Sequence, residues 1–470
     1  MLVIERHEAP VVSFHTYVNV GSVDDPSGRT GLAHMFEHMA FKGTESIGTK
    51  NWPEEKKALD SVEQVYDRLE EELNKGFRSD PKKIEALRAD LAGAIDKANS
   101  FVEPNEFDRI VESNGGVGMN ASTAEDQTQF FYSFPSNRIE LWFLLESSRF
   151  LHPVLREFYK ERDVVTEERR MRTESSPVGR LVEQFLETAF VASSYRQPTV
   201  GWPSDLKTFS ATDAAAFFKK YYIPSNIVIA VVGDVKASET MPVLEKYFGR
   251  LPKSPLPEPN RTIEPQQIAE RRVVVRDQAQ PFFLEGYHRP AVTDKDNAVY
   301  DVMSILLSEG RTSRLYRSLV RDKKIAVAAQ GFNGFPGDKY PNLFAFFAVP
   351  AAGHTALDLL DPIHAETDRL KNEDVSAEEL QSVKTRAKAQ LIHELDSNSG
   401  MALQLAEKQT LFGDWRQLFR DVDEIDRVTA SDIRRVANQV FRPENRTIAY
   451  IESNRAAAAP AAAPTSGGTK

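Results

Sequence analysis

A repeat limits the folds open to this chain more than any other feature does. Ser210-Ala-Thr-Asp213, followed by Pro224, Asn226, Ile229 and Ala230, returns as Thr429-Ala-Ser-Asp432, followed by Pro443, Asn445, Ile448 and Ala449, always 219 residues later. Each copy reads as a capping box opening a helix, then a proline break, then a strand. Eight positions held in one register predict duplication of a whole domain. The length agrees, because 470 residues exceed what one hydrophobic core comfortably holds. The expected division is a first domain over 1–250, a proline-rich linker over 251–268 and a second domain over 269–455. An Ala/Pro tail over 456–470 has nothing to pack. The linker contains Pro252-Lys-Ser-Pro-Leu-Pro-Glu-Pro259, which is stiff and extended.

Charge and composition exclude several classes of function. The net charge of −10 argues against a nucleic-acid partner, which needs basic surface. The chain has no cysteine, so disulfides, thiolate metal sites and a cysteine nucleophile are excluded together. No apolar run approaches the roughly 20 residues of a membrane span, and no basic-plus-hydrophobic signal segment opens the chain. The expectation is a soluble protein, cytoplasmic as the sequence stands. Met1 to Glu5 resembles a strand entered midway, so a start further upstream with a signal peptide would make it periplasmic.

Val11 to Val20 alternates, with Val12, Phe14, Thr16, Val18 and Val20 on the buried face and His15, Tyr17 and Asn19 on the other, where His15 is expected to meet solvent. Gly31 to Thr44 contains no proline or glycine between Leu32 and Lys42 and reads as a helix. Helical spacing puts His34, Glu37 and His38 on one face. Two imidazoles one turn apart supply two of the roughly three protein ligands of a catalytic zinc ion, and Glu37 beside them is placed to take a proton from water. This is the His-x-x-Glu-His order of the inverzincins; taken alone it also fits an amphipathic helix with hydrogen-bonded histidines. Leu59, Val62, Tyr66, Leu69 and Leu73, then Ile84, Leu87, Leu91, Ile95 and Ala98, form two apolar stripes of an antiparallel helical hairpin over about 49–104, with Ser79 or Asp80 capping the second helix. Gly115 to Ala121 is a glycine-rich extended segment ahead of an aromatic strand over Gln127 to Phe134. Glu140 to Phe150 and Pro153 to Arg172 read as helices. On the second, Glu161 and Glu168 share a face while Glu167 points about 100° away. Glu168 is the expected third ligand and Glu161 a supporting carboxylate; the charge pattern alone also suits an exposed, salt-bridged helix.

His34-x-x-Glu37-His38 with Phe-Lys-Gly-Thr44, then Asn120-Ala121-x-Thr123-x-Glu125, then Glu161-Arg-Asp-Val-Val-x-x-Glu168 resembles the pitrilysin family of zinc metallopeptidases, which includes insulin-degrading enzyme and the mitochondrial processing peptidases. The resemblance runs from Val3 to about Glu452. It implies an α+β protein of two homologous domains, each an antiparallel sheet flanked by helices, enclosing a chamber. It implies Zn²⁺ on His34, His38 and Glu168, with Glu37 as general base and Glu161 supporting the site. It also implies an extended peptide or unfolded polypeptide paired to the edge of the Gly115-to-Ala121 strand, near Asn120 and Ala121. Two departures stand out. The hairpin lengthens the chain between His38 and Glu168. In the second half, Arg321 matches a substrate-holding arginine of the family, but Ala328 occupies the position of its partner tyrosine. Either another residue replaces that hydroxyl, or a partner subunit supplies a complete pair, as in heterodimers of the family; the expected assembly is a homodimer or a heterodimer with a second pitrilysin-like chain. The implied activity is zinc-dependent endopeptidase, and the alternative is a non-catalytic pitrilysin-like subunit with a structural or peptide-binding role.

Overall fold

The computed structural model describes residues 1–453; the expected tail lies outside them. Ten strands form two sheets. The first contains β1 (Leu2–Glu5), β2 (Val11–Val18), β3 (Val117–Thr123), β4 (Thr128–Pro135) and β5 (Ile227–Gly233), in the spatial order β1-β5-β2-β4-β3. The second contains β6 (Arg271–Asp277), β7 (Phe283–Arg289), β8 (Ala326–Phe335), β9 (Asn342–Pro350) and β10 (Arg446–Ser453), in the order β6-β10-β7-β9-β8. Numbered from its own first strand, each sheet has the same order. Both are antiparallel except at one edge, where β1 runs parallel to β5 and β6 to β10.

Helices of the first half are α1 (Leu32–Met39), α2 (Trp52–Leu73), α3 (Pro81–Asn99), α4 (Glu106–Ser113), α5 (Ile139–Leu151), α6 (Phe158–Arg169), α7 (Pro177–Ala189), α8 (Pro203–Leu206), α9 (Ala211–Tyr221) and α10 (Ala237–Phe248). Those of the second are α11 (Asn297–Ser308), α12 (Leu360–Asn372), α13 (Ala377–Asp396), α14 (Asn398–Phe412), α15 (Gln417–Arg427) and α16 (Ala430–Val440). The repeated motifs open α9 and α16. Ser210 Oγ accepts from the Asp213 amide at 3.0 Å while the Asp213 carboxylate accepts from the Ser210 amide at 2.9 Å, and Thr429 and Asp432 form the same reciprocal cap. The repeated asparagines have matching duties. Asn226 donates to the carbonyls of Tyr221 and Asn19, and Asn445 to those of Val440 and His288, each tying a helix end to the end of a neighbouring strand.

Each half also lends a helix to the other. Leu181, Phe185 and Ala189 of α7 pack with Leu284, Ala449 and Ile451 of the second sheet. Ala402 and Ala406 of α14 pack with Tyr17, Ala230 and Val232 of the first. Burying a side chain as large as Phe185 contributes roughly 1.5–3 kcal/mol. With both faces covered, β5 and β9 carry nearly unbroken apolar runs. This exchange corrects the reading of β2. His15 does not face solvent but is 2% exposed, because the face opposite Val12 and Phe14 is roofed from the other half. Its Nε2 lies 2.9 Å from Gln129 Oε1, and burial lowers its pKa to about 4, so the ring is neutral.

The hairpin forms as α2 and α3, with Asp80 rather than Ser79 capping the second helix. It braces the segment leading into α6. Arg156, buried just ahead of α6, pairs with Glu55 of α2 at 2.8 Å and donates to the carbonyls of Lys42, Thr44 and Ile47. Tyr159 donates to Glu63 at 2.7 Å.

Candidate metal centre

The Leu32–Met39 helix is fastened at its start by two carboxylates, one from the loop just before it and one from far along the chain. Gly31 has φ 93°, and a Cβ there would meet the Val200 carbonyl oxygen at 2.6 Å, so only glycine fits the turn. It has no side chain to cap the helix, and Asp25 takes that role by accepting from the amides of Gly31 at 2.7 Å and Ala33 at 3.0 Å. Asp205 accepts from the Thr30 amide and hydroxyl. With its first turn held, α1 presents His34, Glu37 and His38 toward α6.

Ligand atoms of His34, His38 and Glu168 lie within 4.8 Å of one another. The Glu168 carboxylate faces both rings, with Oε1 at 3.6 Å from His34 Nε2 and Oε2 at 3.3 Å from His38 Nε2. Two donors bound about 2.0–2.2 Å from a tetrahedral zinc ion stand about 3.3–3.6 Å apart, so the donor set fits such an ion. The imidazoles are 4.9 Å apart at an interplanar angle of 75°, each aiming its Nε2 at the shared carboxylate. Behind His38, Glu161 lies 3.5 Å from Nδ1, the outer contact that fixes tautomer and ring orientation in metal-binding histidines. Glu161 is itself held by Lys42, whose ammonium also reaches Glu157. Arg172 pairs with Glu168 Oε1 at 2.9 Å.

The three titrating groups of α1 differ. Burial, then the charges of His38 and Arg172, lowers the His34 pKa to about 3, which keeps that ring neutral and able to ligate. Burial also opposes charge on His38, but the hydrogen bond with Glu161 and the charges of Glu168, Glu37 and Glu161 outweigh it and raise its pKa. Burial raises the Glu37 carboxyl, partly offset by a hydrogen bond from the Thr123 hydroxyl of β3. The His38 hydrogen bond, and after it Lys42, holds Glu161 down at about 2, against the effect of its burial.

The other expected residues lie elsewhere. Asn120 and Ala121 are on β3, which pairs only with β4 and leaves its outer edge open. A register shift between Val117 and Asn120 bends this strand, and Asn120 Oδ1 accepts from the Ala121 amide at 2.9 Å. Arg321 stands in the second half, exposed and ion-paired with Asp322 at 2.7 Å; it does not join the histidine cluster. Ala328 is on β8, opposite Val349. Sequence reasoning missed Asp25, Asp205, Lys42, Thr123 and Arg156. Lys42 and Thr123 stood inside the quoted motifs, but their partners come from other elements, and no spacing signalled the remaining three.

Two five-stranded sheets of one topology, with a partly buried His₂Glu cluster beside an open edge strand in the first, define a duplicated α+β protein. The chain belongs to the insulinase family, peptidase family M16: residues 1–65 match the family's "Insulinase (Peptidase family M16)" model and residues 208–387 its "Peptidase M16 inactive domain" model. It is 29% identical over 459 residues to the zinc protease PqqE of Helicobacter pylori, covering 95% of this chain and 89% of that one. It is 22% identical over 455 residues to a probable mitochondrial-processing peptidase subunit beta of Arabidopsis thaliana, covering 94% and 74%. Among solved structures, a protease from Helicobacter pylori superposes with a TM-score of 0.79 at 28% identity, covering 96% of both chains. Among the described residues no helix is long and apolar enough to cross a membrane.

Proposed function

We propose that this protein is a zinc-dependent endopeptidase that hydrolyses extended peptides or unfolded polypeptides. The observation that carries the reading is the convergence of His34, His38 and Glu168, with Glu37 on the same helix. Those three residues would hold Zn²⁺, which supplies Lewis acidity for polarising a scissile carbonyl and acidifying water. Glu37 takes the proton from the attacking water and returns it to the leaving amine, and its raised pKa suits both roles. Glu161 keeps His38 oriented and, being strongly acidic, stays ionised while doing so. Substrate backbone pairs with the free edge of β3, alongside Asn120 and Ala121, and Thr123 links that strand to Glu37. Edge pairing reads main chain more than side chains, so selection falls on extended, unfolded segments.

One observation favours a second chain in the working unit. Arg321 pairs with its neighbour Asp322, and Ala328 lacks the hydroxyl expected there; a second pitrilysin-like chain with a complete arginine and tyrosine pair would supply it, whereas a second copy of this chain, carrying the same alanine, would not, and the Arabidopsis relative is named as a subunit. If the partner carried all the chemistry, this chain would be the non-catalytic member. Zinc content and cleavage of an unstructured peptide by the isolated chain separate these readings. Glu37→Gln is expected to retain zinc and lose about 10²-fold or more in kcat, and full turnover by that variant would overturn the general-base assignment.

A further inference from the structure

The duplication identifies the place in the second half that corresponds to the metal centre. In the first sheet Ile229 stands opposite Thr16, and in the second its repeat, Ile448, stands opposite Glu285. This register relates Thr16 to Glu285, an offset of 269 residues. Counting on by the same offset, the last residue of α1, Met39, meets the last residue of α11, Ser308. His34, Glu37 and His38 therefore correspond to Met303, Leu306 and Leu307, all buried and apolar. Likewise α6 corresponds to α13, since each precedes the helix that crosses to the other half.

The counterpart itself is closed by apolar packing, but a cavity lies on one side of it. Leu306 and α13 border a cavity of about 590 Å³ whose wall includes Arg314, Arg317, Lys323, Arg386, Ser318 and Ser382. Its carboxylates are largely committed: Glu379 to Arg314 at 2.7 Å, Glu366 to Arg369 at 3.0 Å and Asp322 to Arg321 at 2.7 Å, with Glu378 the one acid left over. Against it stand three cations without a carboxylate partner. Arg317 and Lys323 make no side-chain hydrogen bond or ion pair among the described residues. Arg386 donates Nη1 to the Glu309 carbonyl while its Nε is buried and unpaired. Arg314, 7% exposed, likewise keeps Nη1 buried without a partner despite its two bonds to Glu379. Buried guanidinium N–H groups without acceptors are costly, and fork-shaped donors beside serine hydroxyls match a tetrahedral oxyanion. The volume exceeds a single phosphate and lies in the range of small-molecule sites.

We propose that this cavity is a binding site for a phosphate group, free or as the ester of a small molecule, held by Arg317, Arg386 and Lys323 with Arg314 behind them. An anion would thus be held beside the duplicated position, whose first-half counterpart is built for a cation.

The test titrates the full-length chain calorimetrically with inorganic phosphate, phenyl phosphate and succinate at constant ionic strength. Wild type is compared with Arg317→Gln and Arg386→Gln; Arg317 is exposed, so its replacement leaves folding intact. Saturable phosphate binding in wild type, weakened about tenfold or more in each variant, is the expected result. Tighter binding of phenyl phosphate assigns the site to an ester and tighter binding of inorganic phosphate to the free ion, and both support the proposal. Absence of saturable binding overturns it, as does equal binding in the variants. Succinate binding as tightly as phosphate refutes the phosphate assignment.

Discussion

Glu55→Gln tests whether the hairpin supports the half that carries the candidate metal centre. Glu55 is 0% exposed and Arg156 1%, so water does not screen the pair. Glu55 receives two of the five hydrogen bonds of the guanidinium, and the other three hold the carbonyls of Lys42, Thr44 and Ile47 just beyond α1. Removing one member of a buried pair leaves an uncompensated charge, at about 3–5 kcal/mol. Arg156→Met also strands three carbonyls, each at about 1–3 kcal/mol when water cannot reach it, so it should lie at or beyond the upper end of that range. For a folding unit of 150–250 residues, 1 kcal/mol moves the melting temperature by about 2–4 °C. Glu55→Gln should therefore lower it by roughly 6–20 °C. Because the partners couple, the double variant Glu55→Gln/Arg156→Met should cost less than the sum of the singles. Thermal unfolding followed by circular dichroism measures all three. If both single variants melted within about 2 °C of wild type, the pair would not be holding the loop.

Two further predictions concern pH. His38 holds its proton to higher pH than a free histidine, and a metal ligand must be neutral, so zinc affinity should fall as pH drops through that raised pKa. Glu161→Gln removes the largest raising influence; zinc titrations from pH 8 to 6 should show the fall displaced to lower pH, with affinity about 10–100-fold weaker, and an unmoved midpoint would reject the coupling. Glu125 has its pKa raised from 4.5 to about 7, chiefly by burial and secondarily by Asp126, against hydrogen bonds from the backbone and Thr199. Its folded-state pKa lies above the unfolded one, so its contribution is fully present below about pH 4.5 and is lost as pH rises through about 7. That loss is of the order of 3 kcal/mol. Glu125→Gln should flatten that slope in denaturant unfolding at pH 5 and 8, whereas parallel slopes in the two proteins would refute it.

How far each element could be read from the chain depended on how local its cause was. Capping boxes, the hairpin stripes and the one-face spacing of His34, Glu37 and His38 arise within a few residues, so periodicity exposes them. The motif helix ends at Met39, short of Thr44, and α6 begins only at Phe158, while past Arg169 its turns widen into a π-helical stretch over Arg170–Glu174. His15 shows the opposite case. Its strand alternates as a half-buried strand should, yet both faces are covered, and the covering helix arrives almost 400 residues later. Asp205 holding Thr30, Thr123 bonded to Glu37 and Lys42 holding Glu161 are pairings between separate elements that no window along the chain contains.

By itself, then, the sequence determined the duplication, the family, two imidazoles and a carboxylate on one helical face, and the absence of thiolate chemistry. Those properties follow from residue identity and short-range spacing, which covalent geometry enforces. Only the tertiary structure decided that Glu168 meets both imidazoles, that β3 keeps a free edge beside Glu37, and that each half roofs the other's sheet. It also decided that four arginines, a lysine and four carboxylates line a cavity beside the second-half counterpart of the histidine cluster. These depend on the crossing of α7 and α14 and on how distant surfaces bury one another, interactions whose partners are chosen by packing and not by nearness along the chain.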